Sequence, residues 1–320
     1  MNKLLINKYQ PTTLDEFNNG NNNEITQFIN KLIYTNELKI IILGNIGTGK
    51  TTLINNILYK YYDIDNITKV NNNILYINNL KEQGISFYKN DVKNFCKSLS
   101  EINNKRKTIV LDDIDLLSDQ NQQIFKIHMD NYIDRVNFIC SCNNLNKVNI
   151  GILSHLINIK LKNIDNIQLT KILENICDKE NLILNETFKN NILMYSNNSI
   201  KLLINNLEKY KILHTNESGL NKIMINNNLL IDRLNNYFNI CFTKRIYNAY
   251  NKLYLIFNDG YSTIDIIDYM YTYLKNDITI DSIKKYLIIQ ILSKYIININ
   301  NNYEDVIILY FLTMDIINII

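Results

Sequence analysis

The chain has 320 residues, 46% of them apolar and 20% charged, with a net charge of +3. At roughly 100–200 residues per domain, this is material for two or three domains. Abundant aliphatic residues and a small net charge exclude disorder as the main state, and any nucleic-acid-binding surface has to be local. Asn and Ile dominate, with one Ala (Ala249), one Pro (Pro11) and four Arg. That bias follows A/T-rich codons, so Asn is not a turn signal here.

In chain order, residues 1–10 hold no apolar core of the length a signal peptide needs. The first strong signal is the run 39–52. Four apolar β-formers precede Gly44, and Leu53, Ile54, Ile57 and Leu58 follow at helical spacing. Between them, Gly44, Asn45, Ile46, Gly47, Thr48, Gly49, Lys50, Thr51 and Thr52 fit G-x-x-x-x-G-K-[ST] in the strand–loop–helix context that the pattern requires. Glycines let backbone N–H groups turn inward onto phosphate oxygens, and the helix N-terminus adds partial positive charge. Lys50 is the expected cation for the β- and γ-phosphates, and Thr51 the expected hydroxyl ligand of Mg²⁺.

Lys89, Lys93 and Lys97 follow at i, i+4 and i+8. On one helix they share a face, suited to phosphate contacts or simply solvated. The tripeptide 105–107 reads as a surface turn. After it, 108–115 reads as a buried strand ending in Asp112, the candidate metal-side carboxylate. Asp113 is placed to orient an attacking water. A third strand, 136–143, ends in Asn143, which could hold that water or equally be one more Asn in an Asn-rich chain. The alternation of strands and helices implies a parallel sheet with right-handed crossovers.

Five cysteines (Cys96, Cys140, Cys142, Cys177, Cys241) in no framework spacing point to a reducing interior and structural thiols. The stretches 261–274 and 283–296 are amphipathic. The apolar run 306–314 is far short of the roughly 20 residues of a membrane span and reads as the buried face of a last helix. The expectation is a soluble, intracellular protein with no membrane partner.

The order of these motifs resembles the small subunits of replication factor C, the AAA+ clamp loader of eukaryotes, archaea and some large DNA viruses. Lys8-Tyr9-Gln10-Pro11, with Leu14-Asp15 and Phe17, is similar to the family's K-Y-R-P-x-x-L-D-x-F segment. Residues 75–85 resemble L-x-L-N-A-S-D-x-R-G-I, and 122–132 the helix with A-L-R-R-T-M-E-x-Y. Asn143 falls on the sensor-1 asparagine, 171–181 on a lid helix, and 196–205, with Lys201, on the sensor-2 helix. Gly260-Tyr261-Ser262, with Asp265-Ile266, matches the G-Y-S-x-x-D-I turn of the collar.

The resemblance implies an α/β AAA+ P-loop ATPase domain over 1–163, a helical lid over 164–220 and an all-helical collar over 221–320. It implies ATP and Mg²⁺ as cofactors and Asp113, Asn143 and Lys201 as catalytic residues. The implied partners are sister subunits in a hetero-oligomer of five, a sliding clamp and primer–template DNA at a replication site. Departures matter. Asp113 stands where the family has Glu, Lys201 where it has Arg, Gln10 where it has Arg, and His155 at its trans-acting arginine. Neither Lys nor neutral His offers the bidentate fork of Arg. Binding elements are kept while hydrolysis elements are eroded, which suggests weak turnover. Two alternatives stay open: a catalytically degenerate structural subunit, and another AAA+ initiator or helicase loader, which would usually carry a winged-helix domain.

Overall fold

Strands buried on both faces read as near-continuous apolar runs, and three stretches of this chain come close to that. In the computed structural model they are β1 (Lys39–Leu43), β3 (Lys107–Asp112) and β4 (Val136–Cys142), joined by β2 (Ile74–Asn78) and β5 (Ile157–Lys160). The structure describes residues 4–17, 23–64, 70, 72–78, 84–182, 184–196, 198–215, 233–276, 280–301 and 304–319. Residues 79–83, Asn197 and the expected boundary at 220 lie outside them.

All pairings are parallel, in the order β2-β3-β4-β1-β5. Successive side chains alternate between faces. Ile40, Ile42, Val110 and Ile139 pack with Leu53, Ile54 and Ile57 of α4 (Lys50–Tyr62) and with Ile29 of α3 (Asn23–Tyr34). On the other face Ile41, Ile109, Leu111, Phe138 and Cys140 meet Val92 of α5 (Val92–Lys97) and Phe125 and Met129 of α6 (Asp119–Tyr132). All five cysteines are free and buried, as expected of structural thiols.

The chain divides into two compact units, residues 1–211 and 212–320. The first unit also carries a third core. Leu169, Leu173 and Ile176 of α8 (Asn166–Glu180), Ile192 of α9 (Glu186–Tyr195) and Leu203 and Leu207 of α10 (Ile200–Thr215) close around Leu5 of α1 (Leu5–Lys8). Three donors converge on the last residue of α8. Lys8 Nζ and Tyr9 OH donate to Glu180 Oε1 at 2.6 and 2.5 Å, and Lys211 Nζ to Oε2 at 2.6 Å.

Among its described residues the second unit has helices joined by short turns and no strand. It comprises α11 (233–242), α12 (Ile246–Asn258), α13 (Thr263–Asn276), α14 (Ser282–Asn301) and α15 (Ile307–Ile319) around one apolar core. The Gly260-Tyr261-Ser262 turn starts α13 with a reciprocal cap: Ser262 N donates to Asp265 Oδ2 and Asp265 N to Ser262 Oγ, both at 3.1 Å. Among the described residues no helix is long and apolar enough to cross a membrane.

Two local expectations differ. Lys107 is not part of a surface turn: it is buried as the first residue of β3, donates to Ser98 Oγ at 2.6 Å and lies 4.5 Å from the Phe95 ring centroid. Lys89, Lys93 and Lys97 are all exposed, but Lys89 sits on a π-helical turn, Phe87–Asp91. The wider turn breaks the α-period, so only Lys93 and Lys97 keep the i, i+4 relation.

Candidate nucleotide-binding site

The loop 44–49 leaves the C-terminal end of β1 and enters α4, outside the carboxyl ends of parallel strands, where such sheets bind ligands. Two of its glycines have positive φ, +82° at Gly47 and +96° at Gly49, which L side chains adopt only with strain. Neighbouring side chains also crowd the space a Cβ would take at both. A Cβ on Gly47 would lie 2.1 Å from Ser199 Oγ, and one on Gly49 would lie 3.1 Å from Phe17 Cε2. Ser199 and Phe17 therefore cover the loop, one just before α10 and the other at the end of α2 (Leu14–Phe17). Gln10 Nε2 donates to Thr52 Oγ1 at 3.2 Å, which brings the N-terminal segment to the first turn of α4, just after the loop.

Lys50 is buried, and its ammonium has three donors. They reach Gly44 O at 2.9 Å, Asn45 O at 3.1 Å and Asn143 Oδ1 at 2.7 Å. Asn143 then donates from Nδ2 to Asp113 Oδ1 at 3.3 Å. The geometry thus joins Lys50, Asn143 and Asp113 in one line. Asp113 has a left-handed backbone, φ +54°, which turns it out of β3. Burial, then the neighbouring Asp112 charge, raises its carboxyl above the ordinary range, while Lys50 opposes the shift.

Asp112 ends β3 almost fully buried and gathers three hydroxyls. Thr51 Oγ1 and Tyr76 OH both donate to Oδ2 at 3.0 Å, and Ser141 Oγ donates to Oδ1. Ser141 also accepts from Asp113 N at 2.8 Å, so one buried hydroxyl ties two consecutive acidic residues to β4. Burial and the Asp112 charge push the Tyr76 phenol far above its usual value, so it remains a donor. Asp115 Oδ2 accepts from Asn143 N and Asn144 N, both at 3.2 Å, and holds the end of β4 in place.

Sequence reading therefore placed Gly44–Thr52, Asp112, Asp113 and Asn143 in what is one cluster. It gave no site role to Tyr76, Ser141, Asp115 or Ser199, and it reached Phe17 only through the segment 8–17 that resembles the family. For Tyr76 a signal existed: in the pairing Tyr76↔Val110 and Asn78↔Asp112, alternation puts Tyr76 and Asp112 on one face of adjacent strands. Lys201 is exposed in the first turn of α10, two residues beyond Ser199. His155 does not stand free. Its Nε2 is 2.6 Å from Asp130 Oδ1, and Lys126 Nζ is 3.9 Å from Asp130 Oδ2.

No group of three or more His, Cys, Asp or Glu side chains among the described residues could hold a metal by itself. That suits Mg²⁺ bound through phosphates, since this ion usually takes one or two protein carboxylates and keeps several waters. The adjacent Thr51 hydroxyl and Asp112 carboxylate are the donor set that such a site uses.

A parallel sheet with a phosphate loop on β1 and an acidic strand end on β3 defines an ATPase module of the AAA class. Residues 40–162 match the model of the AAA family, ATPases associated with various cellular activities. The chain is similar in fold to the Thermotoga maritima RuvB Holliday junction branch migration motor (TM-score 0.51, 16% identity, 67% of each chain).

Residues 231–309 match the replication factor C C-terminal domain. The chain is 31% identical over 146 residues to a replication factor C small subunit of Saccharolobus solfataricus, covering 45% of this chain and 42% of that one. It is 27% identical to a putative replication factor C small subunit of Acanthamoeba polyphaga mimivirus, over 64% of this chain and 62% of the relative. With Saccharomyces cerevisiae replication factor C subunit 3 it shares 23% identity over 64% of this chain and 59% of that one. The matches thus span between two fifths and two thirds of these relatives' lengths. With both domain models in the expected order, the chain is a replication factor C small-subunit-like protein of the AAA family.

Proposed function

We propose that this protein is an ATP-binding subunit of a replication factor C-like clamp loader, working with sister subunits to place a sliding clamp on primer–template DNA. The observation that carries the reading is the cluster Lys50–Asn143–Asp113 beside Thr51–Asp112, in a chain whose two domain matches are AAA and replication factor C. In this reading Gly44–Thr52 cradle the phosphates, and Lys50 exchanges at least one of its present acceptors for a phosphate oxygen. Asn143 Oδ1 is the side-chain acceptor among them, so nucleotide entry frees this amide to act with Asp113 on the attacking water. Asp113, poised by its raised pKa, accepts the proton. Thr51 and Asp112 would hold Mg²⁺, whose charge when bound neutralises that of the β- and γ-phosphates. Lys201 is the candidate cation of the adjoining helices. Asp113, Lys201 and His155 stand at the family's Glu, Arg and Arg positions, which supports slow turnover by the chain alone. Exposed Lys93 and Lys97 are candidates for DNA phosphate contacts.

The test has two arms. Full-length protein should bind a fluorescent ATP analogue with Mg²⁺, and Lys50→Ala should weaken that binding by at least about a hundredfold, the scale of losing charge-assisted bonds to a polyanion. Purification of the native complex followed by mass spectrometry should recover other AAA clamp-loader subunits. Equal nucleotide affinity of wild type and Lys50→Ala, or recovery of a helicase in place of those subunits, counts against the proposal.

A further inference from the structure

Tyr76 belongs to no motif of the phosphate loop and lies one strand away from it, yet its hydroxyl reaches the centre of the candidate site. β2 pairs with β3 so that Tyr76 faces Val110, two residues before Asp112 on the same face. The ring packs beside the core that contains Val110 and the α4 residues Leu53 and Ile54. From there its OH meets Asp112 Oδ2 at 3.0 Å, the same oxygen that accepts from Thr51. With Ser141 on the other oxygen, hydroxyls hold both oxygens of Asp112 from three elements: β2, α4 and β4.

We propose that Tyr76 is a positioning residue for Mg²⁺: through its hydrogen bond it sets the orientation of the Asp112 carboxylate, and so sets the Mg²⁺ concentration at which nucleotide binds tightly. The inference rests on the nucleotide reading above. A carboxylate buried at a strand end has few solvent partners, so the protein donors around it decide its rotamer. Ser141 and Tyr76 approach different oxygens and together resist rotation about the terminal torsion. Thr51 alone cannot, because its hydroxyl is itself the expected metal ligand. Partners of this kind behind a metal's direct ligands typically change metal affinity by 10–100-fold when removed.

Tyr76→Phe keeps the ring in the core and removes only the hydroxyl. The experiment titrates Mg²⁺ at fixed concentrations of full-length protein and a fluorescent ATP analogue, and repeats nucleotide binding in excess chelator. Tyr76→Phe should need about tenfold more Mg²⁺ for half-maximal binding, while affinity in chelator stays within about twofold of wild type. In an Asp112→Asn background, Tyr76→Phe should cause no further shift, because the hydroxyl acts through that carboxylate. Unchanged Mg²⁺ dependence overturns the inference and leaves the nucleotide site standing. So does an equal loss of affinity with and without Mg²⁺, which marks a general packing defect. Wild-type protein that binds no nucleotide under either condition overturns the proposed function, and the inference falls with it.

Discussion

The Glu180 carboxylate offers a quantitative test of how the N-terminal segment is held to the helices that follow the sheet. Its side chain is 6% exposed and takes ammonium groups from Lys8 and Lys211 at 2.6 Å each, and the Tyr9 hydroxyl at 2.5 Å. The hydrogen bonds from Lys211, Lys8 and Tyr9, in that order, lower its pKa from 4.5 to about 2. Such a shift corresponds to roughly 3 kcal/mol if undiluted, and screening around the exposed lysines reduces it to about 1–2 kcal/mol. The lysine side chains are 53% exposed at Lys8 and 33% at Lys211, which is why the reduction applies. The sign is that of a depressed carboxylate. The stabilisation is complete above the unfolded value near 4.5 and is lost as pH falls towards 2. Glu180→Gln keeps an acceptor and removes the charge, so it should destabilise the first unit by about 1–2 kcal/mol at pH 7. The difference from wild type should shrink to under half near pH 3, which lies nearer the folded value than the unfolded one. Urea unfolding by circular dichroism, with hydrogen exchange over residues 4–17 identifying the transition, measures it. A deficit of equal size at pH 7 and pH 3 refutes the argument. Tyr9 is the alkaline counterpart. Burial, then Glu180, pushes its phenol up to about 12, so its contribution is present below about pH 10 and is lost as pH rises through the folded value.

Gly47→Ala should lower nucleotide affinity by roughly tenfold or more, because a left-handed φ costs an L-residue about 1–2 kcal/mol and its Cβ meets Ser199. Ser199→Gly in the same chain should recover the steric part and not the backbone part, read by titration with the fluorescent ATP analogue. Asp113→Glu lengthens the carboxyl by one methylene towards the form the replication factor C resemblance implies. Single-turnover hydrolysis should be no slower than in wild type, and a tenfold fall would refute the reading of Asp113 as a shortened, weaker form of that glutamate.

The phosphate loop, the acidic strand end and the parallel sheet were legible in the residues because their physics is local. A glycine-rich turn between an apolar run and an amphipathic helix has few uses, and a strand buried on both faces is largely apolar. The last helices were legible too: α13, α14 and α15 fall where amphipathic or apolar runs stood. Asn143 was ambiguous as one Asn among many. It acquires a role only when β4 lies beside β1 and β3 and its amide spans Lys50 and Asp113. Lys107 failed as a surface residue because the Phe95 ring and Ser98, both distant enough in sequence to escape a local reading, cover it. The lysine row lost its common face to a π turn that no composition signal marks. Tyr76, Ser141, Ser199 and Glu180 share one reason for staying hidden. Each acts through a partner at least 28 residues away, as with Ser199 at Gly47 or Glu180 at Lys8. Periodicity and spacing record which face a side chain takes within its own element. Strand order and helix packing decide which other element that face meets.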